Sequence, residues 1–311
     1  MSEYDVVVIG GGAAGLSAAL VLSRARRSVA VVDAGEPRNS PAAHMQGFLS
    51  RDGMPPRDLL AAGRDEVQRY GGELIAATVG RVVPGTGPQF RVALADGQQL
   101  DARRVLLATG LRDELPDVRG VRERWGRDLL HCPYCHGYEV RDQPLGLLGG
   151  TPDAVQHAQL IRQWSSDVVI FPHTDTLTAD QHEQLAARAI GVVEGTVTRL
   201  VVDNDRLRGI ELDGGKFIAR SAVFVRPRFV PNSDLGVEVG CAVDDNGFVV
   251  ADAAGRTTVP GVWVAGNAAN PRAQVITAAG EGSSAAIALN ADLVEDDVQR
   301  ALRDIRGGHV A

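Results

Sequence analysis

Residues 4–15, YDVVVIGGGAAG, join a β-branched apolar run to a cluster of glycines and alanines. The run predicts a buried strand, and the small-residue pattern that follows predicts a helix, which places the glycines in a tight strand-to-helix turn. In such a turn Gly10 permits the reversal, Gly12 lets a pyrophosphate approach the backbone, and Gly15 lets helix and strand pack closely. The start of the helix would then offer free N–H groups to the phosphates.

A second buried strand is predicted over residues 28–32, and Asp33 stands at its end. Strand, turn, helix and strand together make one βαβ unit, and an acidic residue in this place is suited to binding ribose hydroxyls. A glycine pattern alone is weak evidence, but in this context it predicts a dinucleotide site at the amino-terminal turn.

Another βαβ pattern begins at residues 145–154, LGLLGGTPDA, but its glycine turn is altered. Thr151 stands where a glycine would admit pyrophosphate, and a β-branched side chain there would obstruct it. Asp153 adds a carboxylate at the helix start, where phosphate would bind. Residues 171–175, FPHTD, lack the arginines that hold the 2′-phosphate of NADP. Binding of NAD(P)H at this turn is therefore doubtful; the alternative is a tolerant loop that still accepts it weakly.

The fold class predicted from these patterns is α/β, with two Rossmann-like three-layer nucleotide-binding domains, the second inserted into the first. The insertion follows because residues 260–267 and a helix over about 274–290 supply the missing strand and helix of the first domain. The predicted first domain covers 1–112 and 243–311. The predicted second domain, a degenerate NAD(P)-binding-like unit, covers 116–240.

The segment HCPYCHG, residues 131–137, places two thiols one helical turn apart. Pro133 suits the first position of a helix, so Cys132 is expected at its N-cap, where the helix dipole and His131 would favour a thiolate. Cys135 lies on the same face and can close a disulfide with Cys132. The spacing predicts a two-electron redox pair.

The pattern Cys-x-x-Cys-His also occurs in two other kinds of site, haem c attachment sites and zinc sites. The pattern matches haem c attachment, but haem c is attached outside the cytoplasm and the chain begins without a recognisable export signal. A zinc site would normally need four ligands, and beyond this motif only Cys241 and scattered histidines could complete one. No metal is predicted.

The bulk composition limits the possible partners. The chain of 311 residues carries 32 basic and 39 acidic residues, a net charge of −7. It therefore lacks the excess of basic residues that nucleic-acid binding requires. No stretch approaches the about 20 consecutive apolar residues of a membrane span. We therefore expect a cytoplasmic protein with neither nucleic-acid nor membrane partners.

Over essentially its whole length the sequence resembles the low-molecular-weight thioredoxin reductases, in which an FAD domain is interrupted by a smaller pyridine-nucleotide domain carrying Cys-x-x-Cys. The resemblance is carried by residues 10–15 with Asp33, by 108–110 and 132–135, and by 265–267 followed by 274–280. It implies bound FAD, a homodimer, and Cys135 as the sulfur that faces the flavin. The predicted FAD-binding residues are Gly10, Gly12, Ala13, Ala14, Gly15, Asp33, Ala34, Arg38, Asn39, Val79, Ala108, Thr109, Gly110, Gly266, Asn267, Gln274 and Val275.

Within that family the CPYCHG motif is similar to the flavin-dependent dithiol oxidases of the holomycin and gliotoxin pathways, which close intramolecular disulfides and pass the electrons to oxygen. His136 occupies the position where the reductases carry an acid/base aspartate, and an imidazole can accept a thiol proton at neutral pH. The alternative for His136 is an exposed turn residue before Gly137. Asn267 replaces the usual aspartate and can still bond the ribityl chain.

The resulting hypothesis is an FAD-dependent enzyme that oxidises a small-molecule dithiol, with O2 as the expected electron acceptor and with Cys132, Cys135 and His136 as catalytic residues. One alternative is an NADPH-dependent thioredoxin reductase. Another is a flavin-bound redox sensor that reports thiol state without turnover.

Overall fold

The computed structural model describes residues 2–85 and 89–307, with the side chain of Ser2 outside that description. The chain forms two compact units. The first contains the residues up to Ser40, Pro56–Arg112 and those from Phe229 onward. The second contains Pro41–Pro55 and Asp113–Arg228.

The first unit is built on a seven-stranded sheet. Its strands, numbered in chain order, are β1 Ser2–Ile9, β2 Val29–Asp33, β3 Glu73–Ala76, β4 Val79–Pro84, β5 Phe90–Leu94, β6 Gln99–Leu107 and β17 Val262–Val264. β1 is central and parallel to β2 and β6, since Val7 pairs with Ala30 on one side and with Val105 on the other. The carboxyl half of β6 continues parallel to β17, while its amino half pairs antiparallel with β5.

Alternation along the central strands gives this sheet two apolar faces. Val6, Val8 and Leu106 pack on one side with the helices, and Val7 and Val105 pack on the other with β4 and β5. The result is a three-layer arrangement with the sheet in the middle. The helices of the unit are α1 Ala13–Arg24, α2 Pro56–Arg69, α7 Leu235–Glu238 and α8 Val275–Gly307.

The second unit contains two sheets. Its strands are β8 Leu129–Leu130, β9 Leu145–Leu148, β10 Val168–Phe171, β11 Gly191–Val192, β12 Val197–Asp203, β13 Arg206–Leu212, β14 Phe217–Ala219 and β15 Ala222–Val225. Five of them form a parallel sheet in the order β11-β10-β9-β15-β8. Helices cover one face of this sheet, and the antiparallel sheet β12-β13-β14 covers the other. The helices of this unit are α3 Val121–Arg124, α4 Pro133–His136, α5 Pro152–Ile161 and α6 Ala179–Ala187; the chain passes between the units within β7 Leu111–Glu114 and β16 Arg228–Pro231.

The predicted fold class, two Rossmann-like three-layer domains, is confirmed by this architecture. The grouping of the chain differs from the predicted boundaries in two places. The segment from Phe229 to residue 242 lies in the first unit, because Leu235, Val239 and Cys241 pack in its core. The segment Pro41–Pro55 lies in the second unit rather than the first.

The carboxyl-terminal helix is longer than the sequence pattern indicated. We expected a helix over about 274–290. The structure has one continuous helix, α8. Its distal half is tied to the sheet, where Arg103 of β6 contacts Asp296 at 2.7 Å and Asp5 of β1 at 2.8 Å.

Candidate active site

The first glycine turn connects β1 to α1, and two of its glycines are required by close packing. Gly10 has φ +106°, and a Cβ there would overlap the carbonyl oxygen of Ala108. A Cβ on Gly15 would overlap the carbonyl oxygen of Gly10. Because the turn closes tightly against the end of β6, neither position can accept a side chain.

Gly12 differs from these two because its missing side chain leaves open space. A Cβ added to Gly12 would meet no protein atom within 4 Å. Gly12 is also the N-cap of α1, and no side chain caps the helix there. An open cradle in front of uncapped helix N–H groups fits a pyrophosphate, so the residues present fit the dinucleotide part of FAD.

Asp33 is the last residue of β2 and lies beside this turn. A Cβ added to Gly11 would be 2.6 Å from the carboxyl carbon of Asp33. Its Oδ2 accepts a hydrogen bond from Arg64 Nη2 of α2 at 3.1 Å. The two side chains are about a quarter to a third exposed, so the carboxylate can still receive a ribose hydroxyl. Sequence reasoning missed Arg64, because no local pattern connects α2 with the end of β2.

Asn267 lies in the turn after β17, and its amide group is fixed by the chain itself. Nδ2 donates to the carbonyl oxygens of Asn270 at 2.9 Å and Ala273 at 3.0 Å. Oδ1 accepts from Arg38 Nη1 at 3.4 Å. An aspartate could not make the two donor contacts, which explains the amide here. The Oδ1 atom, which can accept a second hydrogen bond, is the side-chain atom left for a ligand hydroxyl.

Glu281 of α8 supports the same turn and was not predicted. Its Oε2 accepts from the Gly266 N–H at 3.0 Å, and its Oε1 accepts from Asn270 Nδ2 at 2.7 Å. Gly266 in turn lies against Ala14, because a Cβ on it would come within 2.9 Å of the Ala14 side chain. The single acid in the small-residue stretch TAAGEGSSAA was the available sequence signal.

The predicted FAD-binding residues all lie in the first unit. The structure brings Ala108, Ala14 and Gly266 together around the first turn, and it joins Arg38 to Asn267. The others occupy positions next to these elements. Ala13 opens α1, Ala34 and Asn39 follow β2, Val79 opens β4, Thr109 and Gly110 follow β6, and Gln274 and Val275 stand at the start of α8.

The second glycine turn, between β9 and α5, is filled by side chains of the protein. The backbone N–H of Gly150 donates to Asp175 Oδ2 at 2.8 Å. Thr151 is the N-cap of α5, and its Oγ1 accepts from the Ala154 N–H at 3.3 Å. Two amide groups that would face a phosphate are therefore already bonded to protein oxygens.

The charges around this turn also differ from expectation in one respect. Asp153 Oδ2 pairs with Arg226 Nη2 at 3.1 Å, so a cation that sequence reasoning missed lies beside the start of α5. His173, in the segment 171–175 that lacks the arginines of an NADP site, accepts at its ring Nδ1 from the Val197 N–H at 2.9 Å. The arginine at 226 thus serves the protein's own carboxylate.

Cys132 and Cys135 form a disulfide, with their Cα atoms 5.3 Å apart. The prediction that Cys132 caps a helix beginning at Pro133 is confirmed, and Cys132 Sγ accepts from the Cys135 N–H at 3.2 Å. The helix α4 has only four residues, so the contribution of its dipole at the sulfur is small.

His136 is the last residue of α4 and is half-buried. Burial lowers the pKa of its imidazole below the usual value of 6.5, and the negative charge of Glu139 opposes that shift. The ring is therefore neutral at pH 7 and able to accept a proton. The ring of His131 points elsewhere, with its Nδ1 3.1 Å from the carbonyl oxygen of Val225.

Neither metal-ligand clusters nor membrane-spanning helices occur in the part of the chain that the structure describes. Within residues 2–85 and 89–307, no three His, Cys, Asp or Glu side chains come together so as to hold a metal ion. In the same ranges, no helix has the length and apolar character needed to cross a membrane.

Comparison with known proteins places these features in one family. The profile of the family described as pyridine nucleotide-disulphide oxidoreductase matches residues 4–282. The chain is 32% identical over 307 residues to a protein named thioredoxin reductase sirT from Leptosphaeria maculans, covering 93% of this chain and 94% of that one.

Solved structures give the same picture at the level of the fold. The crystal structure of a protein named HlmI aligns with a TM-score of 0.95 and 58% identity, covering 99% of this chain and 97% of that one. The structure of a putative thioredoxin reductase TrxB from Bacillus anthracis aligns with a TM-score of 0.90 and 34% identity, covering 94% and 99%.

Proposed function

Since the chain belongs to the pyridine nucleotide-disulphide oxidoreductase family and is thioredoxin reductase-like, we propose that it is an FAD-dependent dithiol oxidase. In this proposal a small-molecule dithiol is converted to a disulfide through Cys132 and Cys135, and O2 receives the electrons. The CPYCHG motif at residues 132–137 resembles that of the flavin-dependent dithiol oxidases of the holomycin and gliotoxin pathways.

The observation that carries the proposal is the contrast between the two glycine turns. The first has an open cradle at Gly12 and an uncapped helix start. In the second, Asp175 and Thr151 accept the hydrogen bonds that a phosphate would need. A reductase must take hydride from a nicotinamide coenzyme, whereas an oxidase takes its electrons from the dithiol and needs one nucleotide site only. The filled second turn favours the oxidase.

The protein residues perform thiol–disulfide exchange. One thiolate of the substrate attacks Cys132, the S–S bond breaks, and Cys135 leaves as a thiolate. The second substrate thiolate then attacks the sulfur bound to Cys132, which releases the substrate disulfide. Two electrons and two protons have moved to the protein dithiol. When bound, FAD would supply a two-electron acceptor for the protein dithiol. From there the electrons can pass to O2, which is reduced to hydrogen peroxide.

His136 follows Cys135 directly and supplies the base in this scheme. Its imidazole is neutral at pH 7 because burial lowers its pKa. A neutral ring can take the proton from a substrate thiol, whose ordinary pKa lies near 8.5. The nearby Glu139 then favours the imidazolium that forms, since its charge raises the His136 pKa.

Turnover without nicotinamide tests the proposal. Purified oxidised protein, mixed with a model dithiol in air, should consume the dithiol and release peroxide in equal amounts. The variant C135S cannot form the Cys132–Cys135 disulfide that the substrate thiolate attacks, so it should lose turnover while it keeps its flavin. A flavin that no dithiol can bleach under anaerobic conditions would refute the oxidase. A non-catalytic redox sensor would bleach once without sustained turnover.

A thioredoxin reductase is the second candidate, and the name of the relative from Leptosphaeria maculans favours it. That activity requires rapid anaerobic reduction of the flavin by NADPH. A parallel titration with NADH, NADPH and a dithiol therefore separates the two functions in one experiment.

A further inference from the structure

The helix α4, which carries the reactive cysteines, is too short to be stable by itself. It has four residues, Pro133–His136. The N–H of Gly137 donates to the carbonyl oxygen of Pro133 at 2.7 Å, and the N–H of His136 donates to that of Cys132 at 3.1 Å. Isolated helices of this length do not form in water, because fixing the first turn costs more free energy than its hydrogen bonds supply. The geometry of α4 therefore depends on what packs against it.

The side chain of Trp164, three residues after the end of α5, packs against α4 and is half-buried. A Cβ added to Gly137 would be 2.9 Å from two carbon atoms of the indole ring, Cγ and Cδ2, so the backbone at the end of α4 is in contact with that ring. The ring of Tyr134 meets the Trp164 ring edge-on, with 5.6 Å between their centroids and 87° between their planes. Trp164 thus contacts two positions, three residues apart, at either end of the turn.

The face of α4 that Trp164 supports is separate from the face of the cysteines. Successive residues of an α-helix are about 100° apart around its axis, so positions 134 and 137 share one face while 132 and 135 share another. The indole therefore holds the turn from a side that does not carry the sulfur atoms.

The position of Trp164 is fixed by its own backbone. Its N–H donates to the carbonyl oxygen of Ile161 at 2.9 Å, at the end of α5, and its carbonyl oxygen accepts from the Asp142 N–H at 2.8 Å. The neighbouring Ser165 is 3% exposed, and its Oγ donates to the carbonyl oxygen of Gln143. Trp164 is therefore tied both to α5 and to the segment that follows α4.

This support matters most when the disulfide is open. In the oxidised protein the Cys132–Cys135 bond itself closes the turn. In the proposed reaction that bond breaks once in every cycle, and the short helix then loses its covalent restraint. What holds the turn in the reduced protein is the set of backbone hydrogen bonds, the contact of Cys132 Sγ with the Cys135 N–H, and the packing against Trp164.

We propose that Trp164 and Tyr134 are positioning residues, which act through the backbone of α4 to keep the two thiols of the reduced protein close enough to re-form their bond. The inference rests on the proposed function in one respect, because it takes Cys132 and Cys135 as the pair that opens and closes during turnover.

The consequence is a change in the redox equilibrium of the pair. A disulfide forms more readily when the folded chain gives its two thiols a high effective concentration. Loss of the aromatic contact loosens the reduced protein more than the oxidised protein, which keeps its covalent closure. Exchange with dithiothreitol passes two electrons and two protons to the protein and leaves cyclic dithiothreitol disulfide. In variants without the contact this exchange should favour the protein dithiol.

The experiment equilibrates the FAD-loaded protein, without oxygen, in mixtures of reduced and oxidised dithiothreitol. The samples are quenched in acid and alkylated, and peptide mass spectrometry reports the thiols at 132 and 135. Y134S removes the ring at similar helix propensity and should favour the protein dithiol by roughly two- to tenfold. A tenfold change corresponds to about 30 mV. W164L, which also loses the contact with Gly137, should shift the equilibrium further. Y134F keeps the ring and should match wild type.

The matched control is W125L. Trp125 is a half-buried tryptophan of the same unit, and it packs on the cluster of Val121, Leu129 and Leu200, on the face of the parallel sheet opposite to α5. W125L should lower the thermal stability and leave the exchange constant unchanged.

The positioning role is overturned if Y134S and folded W164L have the wild-type constant, or if W125L shifts it as much as W164L does. If W164L does not fold, the comparison of Y134S with Y134F decides. The measurement needs neither oxygen nor the natural substrate. Failure of dithiol oxidation in air would therefore refute the proposed function without changing this result, and the two failures are distinguishable.

Discussion

The carboxylate of Asp175 accepts a hydrogen bond from the backbone N–H of Gly150 at 2.8 Å. Gly150 belongs to the glycine turn between β9 and α5, and a Cβ on it would contact the Asp175 side chain. An anion of the protein therefore occupies the place where a dinucleotide domain would hold the pyrophosphate.

Removing the oxygens that fill this turn should restore coenzyme binding in part. A charge at a helix start contributes up to about 2 kcal/mol, so T151G/D175A should bind NADPH at least tenfold more tightly than wild type. Fluorescence titration of the coenzyme measures the change. The control D180A removes a carboxylate from the first turn of α6 and should have no effect. Tight NADPH binding by the unaltered protein would contradict this explanation.

Gly12 and Gly10 should separate cofactor binding from folding. In G12A the added methyl group meets no protein atom, so the protein should fold normally while FAD binding weakens by about 1.4 kcal/mol or more, tenfold in affinity. In G10A the methyl group overlaps the Ala108 carbonyl at a positive φ, so the protein itself should be destabilised. Flavin content and thermal unfolding, measured on both variants, test the distinction. Equal flavin content in G12A and wild type would contradict the phosphate cradle.

The pH dependence of dithiol oxidation should report His136. Because burial lowers its pKa below 6.5, the neutral base is present at pH 7 and is lost only as the pH falls through that lowered value. H136A should therefore reduce the rate at pH 7 by roughly 10²- to 10⁴-fold and abolish the acidic limb.

Glu139 provides the matched variant for this measurement. Its charge raises the His136 pKa, so E139Q should move the acidic limb of the rate profile to still lower pH while keeping the rate at pH 7. A shift to higher pH would contradict the assignment of the limb to His136.

The stability of the protein should fall in acid because of His157. Burial lowers its folded pKa to about 3, below the ordinary 6.5, so the unfolded chain binds a proton first as the pH drops. The free energy of unfolding should therefore decrease below pH 6.5 by roughly 1.4 kcal/mol per pH unit, about 2 kcal/mol by pH 5. H157Q has no imidazole to titrate at this position. The difference in free energy of unfolding between wild type and H157Q, measured by urea unfolding, should therefore be smaller at pH 5 than at pH 7. A constant difference would contradict the burial argument.

The attachment of α8 should depend strongly on Arg103. Arg103 is 9% exposed, and its guanidinium group contacts the carboxylates of Asp5, Asp296 and Asp297. Breaking a buried ion pair leaves uncompensated charge, so R103M should lower the free energy of unfolding by about 3–5 kcal/mol. The control R91M breaks a pair in which the arginine is 44% exposed and should cost less than about 1 kcal/mol. Equal losses in urea unfolding would contradict the ranking.

The sequence alone was sufficient for the features that depend on local pattern. Local pattern predicted the strand before Gly10, the helix that follows the glycine turn, and the N-cap at Cys132, and each follows from residues close in the chain. Backbone sterics and short-range hydrogen bonds decide such elements, and both are encoded within a few positions.

Contacts between distant residues could not be obtained in this way. Arg64 reaches Asp33 across 31 positions, and Arg226 reaches Asp153 across 73. The bond of Asp175 to Gly150 depends on how the loop after β10 returns to the turn after β9.

The sequence by itself determined that the chain has two nucleotide-binding folds and one dithiol, because strand periodicity, glycine spacing and the Cys-x-x-Cys pair are local properties. Only the tertiary structure decided which oxygens fill the second turn and that the ring of His157 is buried against the ring of His131. The physical reason is that hydrogen bonds and burial depend on distance in space, and parallel strands bring together side chains that no local sequence pattern relates.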